Sequence, residues 1–156
     1  MDKEVANIKI RYYCAHTERS HEDVRQKLMS WRVAPADIKT IIAALETEQF
    51  IDKKRYLRAF ILDKMLLQRW GKDKVRYALQ QKGITKNEIE LQIEEHIFEQ
   101  DYQNNLLYLL EKKNNAIAHQ NLTDIQRKQK LIIYLTQKGY EYSLVRKTVE
   151  NFVHND

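Results

Sequence analysis

Three stretches of this chain repeat one another, each an apolar helical stripe, a turn residue and a second apolar helical stripe. Val24, Leu28, Arg32, Ile38 and Ile42 correspond to Val75, Leu79, Gly83, Ile89 and Ile93 at a shift of 51, and these to Leu131, Leu135, Gly139, Val145 and Val149 at a shift of 56. The string Gln81-Lys82-Gly83 returns as Gln137-Lys138-Gly139. Repetition at such a period marks supersecondary units that each leave an apolar face for a neighbour to cover. With one more helix ahead of each pair, the expected fold is all-α: three tandem three-helix repeats in an elongated, curved right-handed array. The units are expected at residues 1–49, 50–99 and 100–156, with a loop near 114–122.

Composition agrees with helix throughout. Three glycines and one proline in 156 residues leave few breaks, and 43% hydrophobic residues suffice for a core. No run approaches the roughly 20 apolar residues of a membrane span, and no signal peptide is apparent, so an intracellular, cytoplasmic protein is expected. The single cysteine, Cys14, follows Tyr12-Tyr13 and reads as a small buried hydrophobe.

Local signals place nine helices. The first, about 3–16, has a stripe of Val5, Ile8, Tyr12 and Ala15. Ser20 with Asp23 forms a capping-box-like start for the second, and Pro35 suits the first turn of the third. Asp52 caps a fourth helix expected to run to about Trp70, with Tyr56, Ala59, Phe60, Leu66, Leu67 and Trp70 facing the core. Gly71 turns the chain into a basic fifth helix. Thr85 caps the sixth, with Ile89, Ile93 and Ile97 inward, and Gly83 and Gly139 close helices in the left-handed region.

Charge is uneven along the chain. The net charge is +5, yet residues 53–86 hold eleven Lys and Arg against two Asp, while residues 87–101 hold six acids and no Lys or Arg. A polyanionic or acidic partner fits the basic part. Reading as a DNA helix-turn-helix does not fit, because the helix that would enter the groove carries Glu88, Glu90, Glu94 and Glu95. The candidate partner-binding residues are Arg55, Arg58, Arg69, Lys72, Lys74, Arg76 and Lys82. Ile61, Leu62 and Met65, interleaved with arginines on the outer side of the fourth helix, form a possible apolar interface; coverage by the next repeat is the other reading of that face. No phosphate loop, zinc spacing or nucleophile constellation is present, so no enzyme, cofactor or metal site is expected.

The stretch Ile51-Asp52-Lys53-Lys54-Arg55-Tyr56-Leu57-Arg58-Ala59-Phe60, followed by Trp70-Gly71-Lys72-Asp73-Lys74-Val75-Arg76-Tyr77-Ala78-Leu79-Gln80-Gln81-Lys82-Gly83-Ile84, resembles the central signature of the RecX family of recombination regulators. Glu18-Arg19-Ser20 and Asp23-Val24-Arg25-Gln26-Lys27-Leu28 resemble that family's first repeat. The resemblance implies three three-helix repeats without catalytic residues. It further implies binding to the RecA recombinase filament in its helical groove, restraining strand exchange, ATP hydrolysis and co-protease activity, with DNA touched weakly or within the filament and the protein a monomer. A stand-alone, non-sequence-specific DNA-binding protein is the alternative. The chain departs from the family pattern at Lys53, where a second acid is usual, and at Arg32, where the first repeat has glycine.

Overall fold

The structure, a computed structural model, describes residues 1–155. Among these residues are α1 (Lys3–His16), α2 (His21–Ser30), α3 (Pro35–Thr47), α4 (Lys53–Ile61), a π-helical segment (Leu62–Leu67), α5 (Lys72–Gln81), α6 (Lys86–His96), α7 (Glu99–Ile117), α8 (Asp124–Gln137) and α9 (Tyr142–His154), with no strand. The last helix of each three-helix unit begins at Pro35, Lys86 and Tyr142, in the register the repeat spacing requires.

The turn inside each unit is built the same way three times. Arg32, Gly83 and Gly139 are left-handed, at φ 58°, 77° and 97°. The next residue, Val33, Ile84 or Tyr140, is buried, and its amide donates back to Leu28, Leu79 or Leu135 at 3.2 Å. This pairing satisfies carbonyls that a helix end leaves open, and the apolar residue beyond the turn anchors it. The starts are as local: Ser20 with Asp23 and Thr85 with Glu88 form complete capping boxes, Asp52 accepts from the Arg55 amide, and Pro35 lies in the first turn of α3.

Two helices bury a different face from the one their pattern suggests. On α1, Ala6, Ile10 and Cys14 point inward, whereas Ile8 and Tyr12 are 61% and 69% exposed and Val5 is exposed too. Small Ala6 and Cys14 let α1 lie close on α2 and α3, where Tyr12 would not fit. The fourth helix leaves α geometry at Leu62, and the Gln68 amide reaches Asp63 O at 3.0 Å, a five-residue step. Of the face expected inward, Tyr56 is buried and Phe60 and Trp70 pack half-buried against the core, but Leu57, Ile61 and Met65 are buried in place of Ala59, Leu66 and Leu67, which are exposed. In the third unit, α7 continues four residues, 114–117, into the stretch expected to be a loop. Ile117 is buried there, and Arg127 Nη1 donates to Asn114 Oδ1 at 3.2 Å.

Two cores form. One gathers Ala6 to Ile51; the other runs unbroken from Tyr56 to Val153, so the second and third units share it. The accessible surface is 9907 Å², about a fifth more than the about 8,300 Å² of a compact monomer of this mass, in keeping with units stacked in a row.

Candidate partner-binding surface

The basic helix α5 starts at the seam between the second and third units. It has no side-chain cap, because Gly71 stands where α2 has Ser20. The third unit supplies the partners instead. The Gly71 amide donates to Lys138 O at 2.8 Å, the Lys72 amide to the Tyr102 hydroxyl at 3.0 Å, and the Asp73 amide to Gly139 O at 2.9 Å. A Cβ on Gly71 would sit 2.2 Å from the Gly139 carbonyl carbon, so only glycine permits this approach. The Tyr102 hydroxyl in turn donates to Glu141, and burial, then that bond, push its pKa well above the usual tyrosine range. The amides at the start of α5 are thus engaged from within.

Four of the seven candidate cations are internal struts. Arg76 is bidentate to Glu90, at 2.6 and 3.1 Å, and reaches Asp73 at 2.9 Å. The Arg76 hydrogen bond holds the Glu90 carboxyl below its ordinary pKa despite partial burial. Arg55 donates to Glu18 at 2.6 Å and to the carbonyls of Gln49 and Phe50, tying the second unit to the first. Lys82 pairs with Asp23 across the same junction. Burial alone would raise the Asp23 carboxyl, but hydrogen bonds from Lys82 and Ser20, with the charge of Lys82, hold it below the usual range. Lys72 meets Glu99 at 3.5 Å while lying 4.5 Å from the Tyr102 ring centre.

The other three have no carboxylate partner among the described residues. Arg58 is exposed. The Arg69 guanidinium lies 4.0 Å above the Tyr108 ring of α7, and Lys74 Nζ lies 4.2 Å from the Trp70 ring centre. Lys64 approaches the same indole at 4.9 Å, with Asp63 at 3.7 Å, and Phe60 meets Trp70 edge-on at 6.1 Å. Arg69 is also strained: its φ is 57°, its Nε is buried without a hydrogen-bond partner, and the Tyr140 hydroxyl holds its carbonyl at 2.9 Å.

A further cluster escaped the sequence reading. Lys113 and Lys138 flank Tyr134, at 5.1 and 5.6 Å from its ring centre, again without carboxylates among the described residues. A Cβ placed on Gly139 would be 2.2 Å from Lys74 Cβ, so the Lys74–Trp70 and Lys138–Tyr134 clusters adjoin across the seam. A cation seated on an aromatic ring is positioned but keeps its charge, unlike one spent on a carboxylate. The repeat alignment held a clue to Lys138, which occupies the position of Lys82 one unit later; no periodicity marks Tyr108 or Lys113.

The expected apolar interface is corrected. Ile61 (0% exposed) and Met65 (1%) belong to the shared core, Leu62 is half-buried, and Asn105 of α7 donates to Met65 O at 3.2 Å. The third unit covers this face because its first helix packs on the π-helical segment. The apolar residues left at the surface of this segment are Leu66 and, more fully, Leu67, 74% exposed.

Residues 52–91 match the model of the second three-helix domain of RecX, and residues 99–149 that of the third. The chain is 29% identical over 136 residues to "Regulatory protein RecX" of Clostridium botulinum (strain Eklund 17B / Type B), covering 87% of this chain and 63% of that protein. It is 31% identical over 132 residues to the protein of the same name from strain Alaska E43 / Type E3, covering 85% and 61%. The chain therefore spans somewhat less than two thirds of the length of these curated relatives. Among solved structures, "Crystal structure of RecX from Lactobacillus salivarius" superposes with a TM-score of 0.79 at 21% identity, over 99% of this chain and 97% of that one. "Crystal structure of regulatory protein RecX" gives 0.80 at 22%, over 96% and 71%. At these identities the two structures establish the shared fold.

Proposed function

The chain belongs to the RecX family of regulatory proteins, and on that premise we propose that it binds a RecA nucleoprotein filament and restrains it by occupancy alone. The seam between the second and third units faces the filament, and its carboxylate-free cations meet acidic protein groups or the phosphates within the groove. Strand exchange, ATP hydrolysis and co-protease activity fall because the groove is filled; no bond is made or broken by this protein. The observation that carries the reading is the division among the cations. Arg55, Lys72, Arg76 and Lys82 are spent on internal carboxylates, whereas Arg69, Lys74 and Lys138 are seated on rings with their charge unmatched.

The test is inhibition of RecA ATPase on single-stranded DNA. Arg58→Ala, Arg69→Asn and Lys74→Ala are combined, asparagine being chosen because it tolerates the left-handed backbone at position 69. Inhibition should weaken about tenfold or more, as loss of a few charge-assisted contacts predicts, with helicity by circular dichroism unchanged. Inhibition equal to that of the parent protein would remove the seam from the mechanism.

The aromatic seats also favour a second reading, binding to bare single-stranded nucleic acid, since rings beside cations are what such a strand stacks on. Salt titration separates the two. A stand-alone binder shows a steep salt dependence on bare DNA, while a filament-dependent one binds bare DNA weakly and the filament tightly.

A further inference from the structure

The groove between α2 and α3 in the first unit is open, about 520 Å³, with a floor of Met29, Pro35, Ile38 and Ile42 and with Arg25 and Lys39 on its rims. Met29 is 48% exposed there. Among the described residues no carboxylate lines this groove. Arg25 turns to Glu22 on its own helix, at 2.6 and 2.9 Å, and Lys39 has no ion-pair partner among the described residues.

The second unit shows one way such a place is closed. At the repeat shift of 51, Arg25 becomes Arg76 and Lys39 becomes Glu90. There the carboxylate on the second helix reaches across to the guanidinium on the first and bridges the two. In the first unit the acidic position holds a lysine, so no carboxylate bridges the two helices across the groove, and Met29 stands where the second unit has Gln80. An apolar floor between two cations calls for a carboxylate supplied from outside together with an aliphatic side chain.

We propose that the α2–α3 groove of the first unit is a docking seat for an acidic amphipathic segment of a partner protein. A carboxylate of that segment takes, between Arg25 and Lys39, the place that Glu90 takes against Arg76, and its aliphatic side chains cover Met29, Pro35 and Ile42. The seat is separate from the seam cations and does not depend on the reading given for them.

The probe is a fluorescein-labelled peptide of repeated Glu-Leu-Leu-Glu, titrated with the full chain and followed by fluorescence anisotropy in the absence of RecA and DNA. Saturable binding is expected. Lys39→Glu, which gives Arg25 the cross-helix partner that Arg76 has, should weaken it about tenfold. Lys147→Glu, the same change of charge at an exposed position of α9, should leave it as it was, and a peptide with lysine in place of glutamate should not bind. Absence of saturable binding, equal weakening by Lys39→Glu and Lys147→Glu, or equal binding of the lysine peptide would each overturn the proposal.

Discussion

The two inter-unit junctions are built at equivalent positions from opposite materials. At the first, Asp23 on α2 pairs with Lys82 in the next unit's turn, and Arg55 reaches back to Glu18. At the second, the equivalent positions are Lys74 and Lys138, two cations, and the contact passes to the backbone: Gly71 to Lys138 O and Asp73 to Gly139 O. Tyr102, Leu106, Met65 and their neighbours make one core across that seam. The turn glycines record the difference in closeness. A Cβ on Gly83 would meet nothing within 4 Å, whereas one on Gly139 would overlap Lys74 Cβ at 2.2 Å.

The lesson is that an exposed polar junction and a buried apolar one give a repeat array two kinds of joint. Partly exposed ion pairs are weak and screened by salt, while backbone contact over a shared core resists both. Moving the burden from side-chain charges to backbone also frees charge, since no carboxylate among the described residues pairs with Lys74 or Lys138.

The strongest way to break the contrast is Gly139→Ala. The methyl group collides with Lys74, and φ 97° is hostile to alanine, so a loss of more than about 3 kcal/mol is expected. Hydrogen exchange should show the second and third units opening together while α1 to α3 keep their protection. Uniform loss of protection along the chain would mean the two cores are not independent.

Acid should act on the other joint. The Asp23 carboxyl is held below its ordinary pKa, so the stability it contributes is complete above the unfolded value of about 4 and is lost as pH falls through the folded value beneath it. Below about pH 4, the radius of gyration from scattering should rise as the first unit swings away, before helicity falls. A rise that coincides with global unfolding would show that the Asp23–Lys82 pair is not what holds the first junction. The smallest effect is expected from Gly83→Asn: open space and tolerance of left-handed backbone should keep the cost below about 1 kcal/mol by thermal melting. A loss comparable to that of Gly139→Ala would erase the distinction.

Much of the molecule follows from short-range rules. The three left-handed turns, the Ser20 and Thr85 caps, Pro35 in the first turn of α3 and the buried stripe Ile89, Ile93, Ile97 each rest on residues within a turn or two of one another, so the sequence alone determined the helices, their repetition and the all-α class. It could not decide which of two apolar stripes on α1 and α4 would be buried, since periodicity detects a stripe but not the neighbour that covers it. Nor could it separate strut from free cation: Lys82 finds its carboxylate 59 residues away, and Arg69 finds the Tyr108 ring in the next unit. Such pairings exist only once the units are stacked, because charge is set by composition while its neutralisation is set by distance in space.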